Sequence, residues 1–176
     1  MKDRAFLPVD TPVGRLGIFC SDQFIIRLLL SNDNPAALLP EEDLTWLSMN
    51  SDTAAGRLAA QFAAQLGAYF AGRLRRFTVR PALEGTPFER AVWVGLLNIP
   101  YGCTVSYTRL AAMCGLRGAR AVGSAVGRNP VPILVPCHRV IRQDGSLGGY
   151  RGGLPVKAKL LELEGWKPTR AALFDE

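Results

Sequence analysis

The sequence predicts two consecutive domains of different class. The first is an α/β domain in which a small antiparallel sheet meets one helix. The second is a mainly α domain built on a helix-turn-helix of winged-helix type. Three observations carry this. Short β-branched runs broken by turn residues fill residues 5–30, apolar residues recur at helical spacing from residue 52, and helix start and stop signals crowd the chain beyond Thr86. A chain of 176 residues has room for two small domains. With 48% hydrophobic and 20% charged residues, it can bury a core and lacks the composition of a disordered chain.

The elements follow in order. Ala5–Val9, Arg15–Cys20 after Pro12 and Gly14, and Phe24–Leu30 after Ser21-Asp22 read as strands of a meander, with Asp22 suited to a tight connection. Ser31–Asn50, rich in Asn, Asp, Pro and Glu, reads as a loop. From Asp52, placed to cap its start, a helix carries Leu58, Phe62, Leu66, Tyr69 and Phe70 on one face and stops at Gly72. Residues 1–80 therefore form the first domain, residues 81–86 a linker containing Pro81 and Gly85, and residues 87–176 the second domain.

Thr86-Pro87-Phe88-Glu89 is a capping box with proline at the first helical position, followed by the stripe Phe88, Val92 and Leu96 and closed across Asn98–Gly102. Ser106 caps a short helix that stops at Gly115, and another helix runs from about Gly118 to Arg128. Val131–Val140, an apolar run bounded by prolines, reads as a buried strand or extended segment. Pro155 starts a last helix with Val156, Leu160 and Leu163 apolar, ending at Glu164-Gly165. Glu164 opposes the dipole at that helix end, which points to a role elsewhere.

Charge and composition exclude several functions. The formal net charge is +6, and between Arg90 and Lys159 ten basic residues meet one acid, Asp144. Over residues 1–80 the nine basic and eight acidic residues nearly cancel. A positive field confined to the second domain suits a phosphate-rich partner; the bland alternative is a solvated basic face. No apolar run reaches the ~20 residues of a membrane span, and residues 1–20 lack the pattern of a signal peptide. The four cysteines and one histidine have no metal-ligand spacing, so a cytoplasmic, reduced, metal-free protein is the simplest reading.

The second helix of the helix-turn-helix is built from small residues: Ala119, Ala121, Gly123, Ser124, Ala125 and Gly127, with Arg120 its one long side chain before Arg128. Base reading in the major groove needs long hydrogen-bonding side chains. This helix suits close approach to a phosphate backbone or narrow groove with little sequence preference. Packing against a neighbouring helix is the competing reading. Cys137 is set apart from Cys20, Cys103 and Cys114 by its neighbours His138 and Arg139, which favour thiolate. Gly145–Gly153 is glycine-rich but lacks the phosphate-cradle pattern, and reads as a shaped wall beside a pocket.

Taken together, Pro136-Cys137-His138-Arg139-Val140 with Ile99-Pro100-Tyr101-Gly102, Val105-Ser106-Tyr107, Arg120-Ala121-Val122-Gly123, Asn129-Pro130, Gly148, Tyr150, Gly152-Gly153 and Glu164 resembles the O6-alkylguanine-DNA alkyltransferases (methylated-DNA–protein-cysteine methyltransferases). The first domain resembles them only loosely, through its strands and Tyr69-Phe70-Ala71-Gly72. The resemblance implies direct reversal of damage in double-stranded DNA. The lesion base, O6-alkylguanine with O4-methylthymine as a second candidate, is flipped out and its alkyl group moves irreversibly to Cys137. It further implies that His138 takes the thiol proton through a water, that Glu164 orients His138, that Tyr107 donates to the departing guanine, and that Asn129 holds the turn before the nucleophile. Pro132 and Tyr150 would line the alkyl pocket, the carbonyls of Cys137 and Val140 would accept from the guanine amine, and Arg151 and Lys157 would complete the substrate site. Arg120 would fill the vacated stack, with Ser106, Ala119, Ala121, Gly123, Ser124 and Arg128 on the DNA. No cofactor, metal or obligate protein partner is implied.

Two features depart from the family. Cys103 stands where an acid is common, and the zinc ligands of some relatives are absent. Cys137 argues against relatives that carry tryptophan at that position. The competing functions are a helix-turn-helix transcription factor, which the small-residue helix disfavours, and a cysteine hydrolase, which lacks a second histidine to act as base.

Overall fold

The computed structural model describes residues 4–33, 45–46 and 52–167. The chain divides into two compact units, Met1–Ala82 and Leu83–Glu176.

In the first unit, β1 (Ala5–Thr11), β2 (Gly14–Cys20) and β3 (Ile25–Leu29) form the expected antiparallel meander, and β4 (Thr45–Trp46) adds a parallel rung against Ala5 and Phe6. The sheet order is β3-β2-β1-β4. Part of the loop expected over Ser31–Asn50 is thus a strand, and most of the remainder lies outside the described residues. Helix α1 (Ala54–Phe70) buries Ala55, Ala59, Phe62, Ala63, Leu66 and Tyr69, while Leu58 and Phe70 of the expected stripe are half-buried. Its cap is Thr53, not Asp52: the Thr53 hydroxyl accepts from Gly56 N at 3.0 Å, the i to i+3 geometry that Asp52 stands one residue too early to make. Gly72 ends the helix at φ +71°, in the left-handed region.

In the second unit, α2 (Pro87–Leu97) opens with the full reciprocal capping box between Thr86 and Glu89. Residues Val105–Ser106 (β5) lead into α3 (Tyr107–Met113), which Ser106 caps, and the turn to α4 (Ala119–Gly127) has Gly115 and Gly118 at positive φ. Helices α2 and α4 are joined by Trp93, whose indole N–H donates to Ala125 O at 2.9 Å. Helices α2 and α3 come so close that a Cβ on Gly95 would collide with the Cys114 sulfur. Residues Val140–Ile141 (β6) pair in parallel with β5, and α5 (Leu154–Leu163) closes the unit. Its buried face is Lys157, Leu160 and Leu161, with Val156 and Leu163 only half-buried.

Residues Val131–Val140 are buried throughout, but only Val140, the start of β6, belongs to a strand. Leu134 N donates to Pro132 O at 2.9 Å across Ile133, which sits at φ +73°, and Cys137 N donates to Val135 O at 2.8 Å across Pro136 at φ −81°, ψ 65°. These are two γ-turns in quick succession, followed by a 3-10 turn at Cys137–Arg139. The prolines withhold two of the N–H donors that a ladder needs. Asn129 supplies pairing instead: its amide donates to Val135 O at 2.7 Å and its carbonyl oxygen accepts from Val131 N at 3.0 Å.

Candidate active site

Cys137 lies on the wall of a cavity of about 640 Å³ shared with Tyr107, Asn129, Pro132, Tyr150 and Arg151. Helix α4 also lines it, through Ala119, Arg120, Gly123, Val126 and Gly127, as do Arg142, Gly148 and Gly149. The Asn129-clamped turns deliver Cys137 to this wall, and the β5–β6 ladder delivers Tyr107. Gly148 is at φ +67°, and a Cβ there would come within 3.1 Å of the Tyr107 hydroxyl, so a glycine lets that loop close against the phenol.

Behind the wall, His138, Arg139 and Glu164 form one buried network. His138 Nε2 lies 2.9 Å from Glu164 Oε1; Arg139 donates through Nε to Oε2 at 2.8 Å and through Nη2 to Oε1 at 2.9 Å; Gly102 N donates to Oε2 at 3.1 Å. Four donors therefore meet the four lone-pair positions of one carboxylate. Burial opposes ionisation of Glu164, but the hydrogen bonds from His138 and Arg139 outweigh it and hold the carboxyl well below the usual range. An ionised carboxylate only accepts, so the His138 proton sits on Nε2. Its Nδ1, buried and without a partner among the described residues, keeps a lone pair for a proton. Burial also lowers the pKa of His138, against the pull of Glu164, so the ring rests neutral. Glu164, whose position at the end of α5 points to a role elsewhere, is the shared acceptor of this network.

The environment of the thiol differs from the sequence expectation. His138 and Arg139 were expected to favour thiolate. On a 3-10 turn, successive side chains diverge by about 120°, and both of these reach Glu164 instead. Burial pushes the Cys137 thiol up; a hydrogen bond with Asn129 and the charges of Lys157 and Arg151 pull the other way without overcoming it. The resting group is a thiol, which needs a base to become a nucleophile. Burial, with Cys137 adding to it and Arg142 opposing, also raises the pKa of Tyr107, so its hydroxyl is a donor.

Lys157 and Val140 stand behind the wall. The Lys157 ammonium donates to the carbonyls of Val140 at 2.6 Å, Leu147, and Gly149 at 3.3 Å, so this lysine pins the glycine-rich loop to β6. Burial brings its pKa down to about 8. Ser106 spends its hydroxyl on Arg109 N at 3.1 Å as the cap of α3. On α4, Arg120, Ala121 and Ser124 are exposed while Ala119 and Gly123 are half-buried. Arg128 is drawn back onto α2 by an ion pair with Glu89 and donates to Ser124 Oγ at 2.8 Å.

Arg142 is the residue that sequence reasoning left without a role, and Arg139 was read only as favouring the thiolate, not as a partner of Glu164. The signal for Arg139 was present: it lies inside the Pro-Cys-His-Arg-Val segment, and Ile99, whose carbonyl accepts from Arg139 Nη1 at 2.6 Å, heads Ile99–Gly102. Gly102, at φ +78°, brings its N–H to Glu164, whose carbonyl oxygen would lie 2.9 Å from a Cβ at that position.

Residues 7–82 match the family model "6-O-methylguanine DNA methyltransferase, ribonuclease-like domain", and residues 87–166 match "6-O-methylguanine DNA methyltransferase, DNA binding domain". A methylated-DNA–protein-cysteine methyltransferase of Mycolicibacterium paratuberculosis is 43% identical over 169 residues, covering 95% of this chain and 96% of that protein.

This chain belongs to the 6-O-methylguanine DNA methyltransferase family.

Solved members of the family have the same fold. The O6-methylguanine methyltransferase of Mycobacterium tuberculosis superposes with a TM-score of 0.78 at 39% identity, over 99% of this chain and all of that one. The Mycobacterium tuberculosis OGT in complex with DNA gives 0.78 at 40% identity, over 97% of this chain and 99% of that one. Among the described residues of this methyltransferase-family chain, no group of His, Cys, Asp and Glu is arranged to hold a metal ion, and no helix is long and apolar enough to cross a membrane.

Proposed function

We propose that this protein repairs O6-alkylguanine in double-stranded DNA by moving the alkyl group irreversibly onto Cys137. The observation that carries this reading is Cys137 on a cavity wall, backed by the buried His138 whose Nε2 lies 2.9 Å from Glu164 Oε1 and whose Nδ1 has no partner among the described residues. The flipped base occupies the cavity, because its O6 substituent is out of reach inside the stack. The thiol proton passes to His138 Nδ1 through a bridging water. The sulfur then attacks the alkyl carbon, the S–C bond forms as the C–O6 bond breaks, and Tyr107 donates to the guanine as it leaves. Asn129 acts as a positioning residue through the turn it clamps. Pro132 and Tyr150 contact the alkyl group, and Arg151 faces the base. Lys157 acts by fixing the loop that carries Tyr150.

Helix α4 meets the DNA with Ala119, Ala121, Gly123 and Ser124, whose small size supports binding with little sequence preference. Arg120, exposed on that helix and lining the cavity, enters the vacated stack. Ser106 and Arg128 approach phosphates, the latter after leaving Glu89. The transfer needs no cofactor and no protein partner, and the four free cysteines suit a reducing cytoplasm.

The test is intact and peptide mass analysis after incubation with duplex DNA containing O6-methylguanine. One methyl group on Cys137, and none on Cys20, Cys103 or Cys114, is expected. An unmodified Cys137 overturns the reading.

A further inference from the structure

We infer that Arg142 is a positioning residue for alkyl transfer, acting through Tyr107 by stabilising the negative charge left on the phenol oxygen when its proton moves to the departing guanine. This rests on the reading of the cavity as an alkyl-acceptor site.

The geometry comes from the two-stranded ladder. Strands β5 and β6 run parallel with Val105 opposite Val140 and Ser106 opposite Ile141, so Tyr107 and Arg142 are the next residue out of each strand, side by side at the same end. Both reach the same point of backbone. A Cβ on Gly148 would stand 3.1 Å from the Tyr107 hydroxyl and 3.4 Å from Arg142 Cγ. Both side chains line the cavity that holds Cys137.

The backbone of Arg142 is fixed as well. Its N–H donates to Ser146 O at 2.9 Å and its carbonyl accepts from Gly145 N at 3.1 Å, while Asp144 holds Ser146 through N at 3.0 Å and Oγ at 2.7 Å. The titratable groups that bear on this corner are Cys137, whose thiolate would oppose ionisation of Tyr107, and Asp144 and Lys157 around Arg142. Of these, Arg142 is the one that favours the ionised phenol.

The electron count gives the guanidinium its role. The sulfur–carbon bond forms, the carbon–O6 bond breaks, and its electron pair passes to the guanine. Transfer of the Tyr107 proton neutralises the guanine and leaves the negative charge on the phenol oxygen, until solvent returns a proton after product release. A base in the cavity displaces water, which strengthens the field of a nearby cation at that oxygen.

The experiment is single-turnover alkyl transfer by Arg142→Met and Arg142→Lys, each with Tyr107 intact and in a Tyr107→Phe background. The substrates are duplex O6-methylguanine DNA and free O6-benzylguanine base. Arg142 is exposed, so both variants should keep the wild-type melting temperature. The expected result is a loss on the order of tenfold for Arg142→Met on both substrates. Arg142→Lys should recover most of the rate, and Arg142→Met should add no further loss once Tyr107 is phenylalanine. A loss confined to duplex DNA with a shallower salt dependence would make Arg142 a phosphate contact and overturn the inference. So would an undiminished loss in the Tyr107→Phe background, or no loss at all. Failure of the wild-type protein to alkylate Cys137 would instead overturn the proposed function.

Discussion

The Arg139 guanidinium meets the Glu164 carboxylate along its edge, Nε to Oε2 at 2.8 Å and Nη2 to Oε1 at 2.9 Å, so that the acid orienting His138 is itself held in plane. A fork-on-fork pair of this kind specifies direction as well as charge. Arg139 is further tied to Ile99 O and lies over the Tyr101 ring, whose hydroxyl donates to Leu163 O at 3.0 Å. The base of the site is therefore oriented from α5 and from the loop after α2 at once.

Removing one member of this pair strands the other in a buried site. Arg139→Met should destabilise the second unit by about 3–5 kcal/mol, because the Glu164 charge loses its main partner. Arg139→Lys should recover only part of that, since an ammonium cannot reproduce the planar fork. Thermal melting of both variants is the check, and a lysine variant as stable as wild type would refute the bidentate role.

The same carboxylate sets an acid limb of stability. Its folded pKa lies below the unfolded value of about 4.3, so its contribution is complete above that value and is lost as pH falls through it toward the folded one. Glu89, held down to about 2 by the Thr86 backbone N–H and by Arg128, titrates over the same window. The useful comparison is therefore between wild type and Glu164→Gln. His138, kept neutral by burial against the pull of Glu164, adds its own loss below about 6.5, so both proteins are compared in a His138→Gln background. Urea unfolding at pH 7 and pH 4 should then show a smaller drop for Glu164→Gln, and equal drops would count against the network.

Asn129→Ala should cost about 1–3 kcal/mol for each of Val131 N and Val135 O left buried and unpaired. The transfer rate should fall equally on duplex DNA and on free O6-benzylguanine, since the defect lies in the placement of Cys137. A rate loss on duplex alone would move Asn129 from the pocket to the DNA interface.

Arg120 and Arg128 should separate cleanly. Arg120→Ala should slow transfer on duplex DNA far more than it weakens binding, and should leave the free-base rate unchanged, because only the duplex has a stack to open. Arg128 leaves its ion pair with Glu89 to reach a phosphate, so Arg128→Ala should change the salt slope of binding by less than the roughly one unit of a full phosphate contact. Single-turnover rates and salt titrations of both variants decide this; an equal loss for Arg120→Ala on both substrates would end its assignment to flipping.

What was legible in the sequence was mostly local. The capping box at Thr86, the Ser106 cap, the glycine stop at Gly115 and the small-residue face of α4 are each written in a few adjacent residues, and the structure has them where the pattern puts them. The segment before Cys137 was misread because hydrophobicity alone cannot separate a buried strand from buried turns; a side chain from outside the segment, Asn129, decides the matter. The pairing of Arg139 with Glu164 and the placement of Arg142 escaped for a related reason. The direction of Arg139 follows from a three-residue 3-10 turn, and the neighbour of Arg142 follows from a ladder between residues 35 apart in sequence.

Ile133 sits at φ +73°, where a β-branched residue is rarely found, and it is nearly fully buried. Its mutational neighbourhood is correspondingly barren. Glycine would relieve a torsional cost of about 1–3 kcal/mol but forfeit about 2–5 kcal/mol of packing. Asparagine tolerates the torsion and would bury an amide with nothing to bond, while valine keeps the strain and sheds a methylene. Each short step away gives up something the fold uses, so the position four residues before the nucleophile is held by two opposed demands.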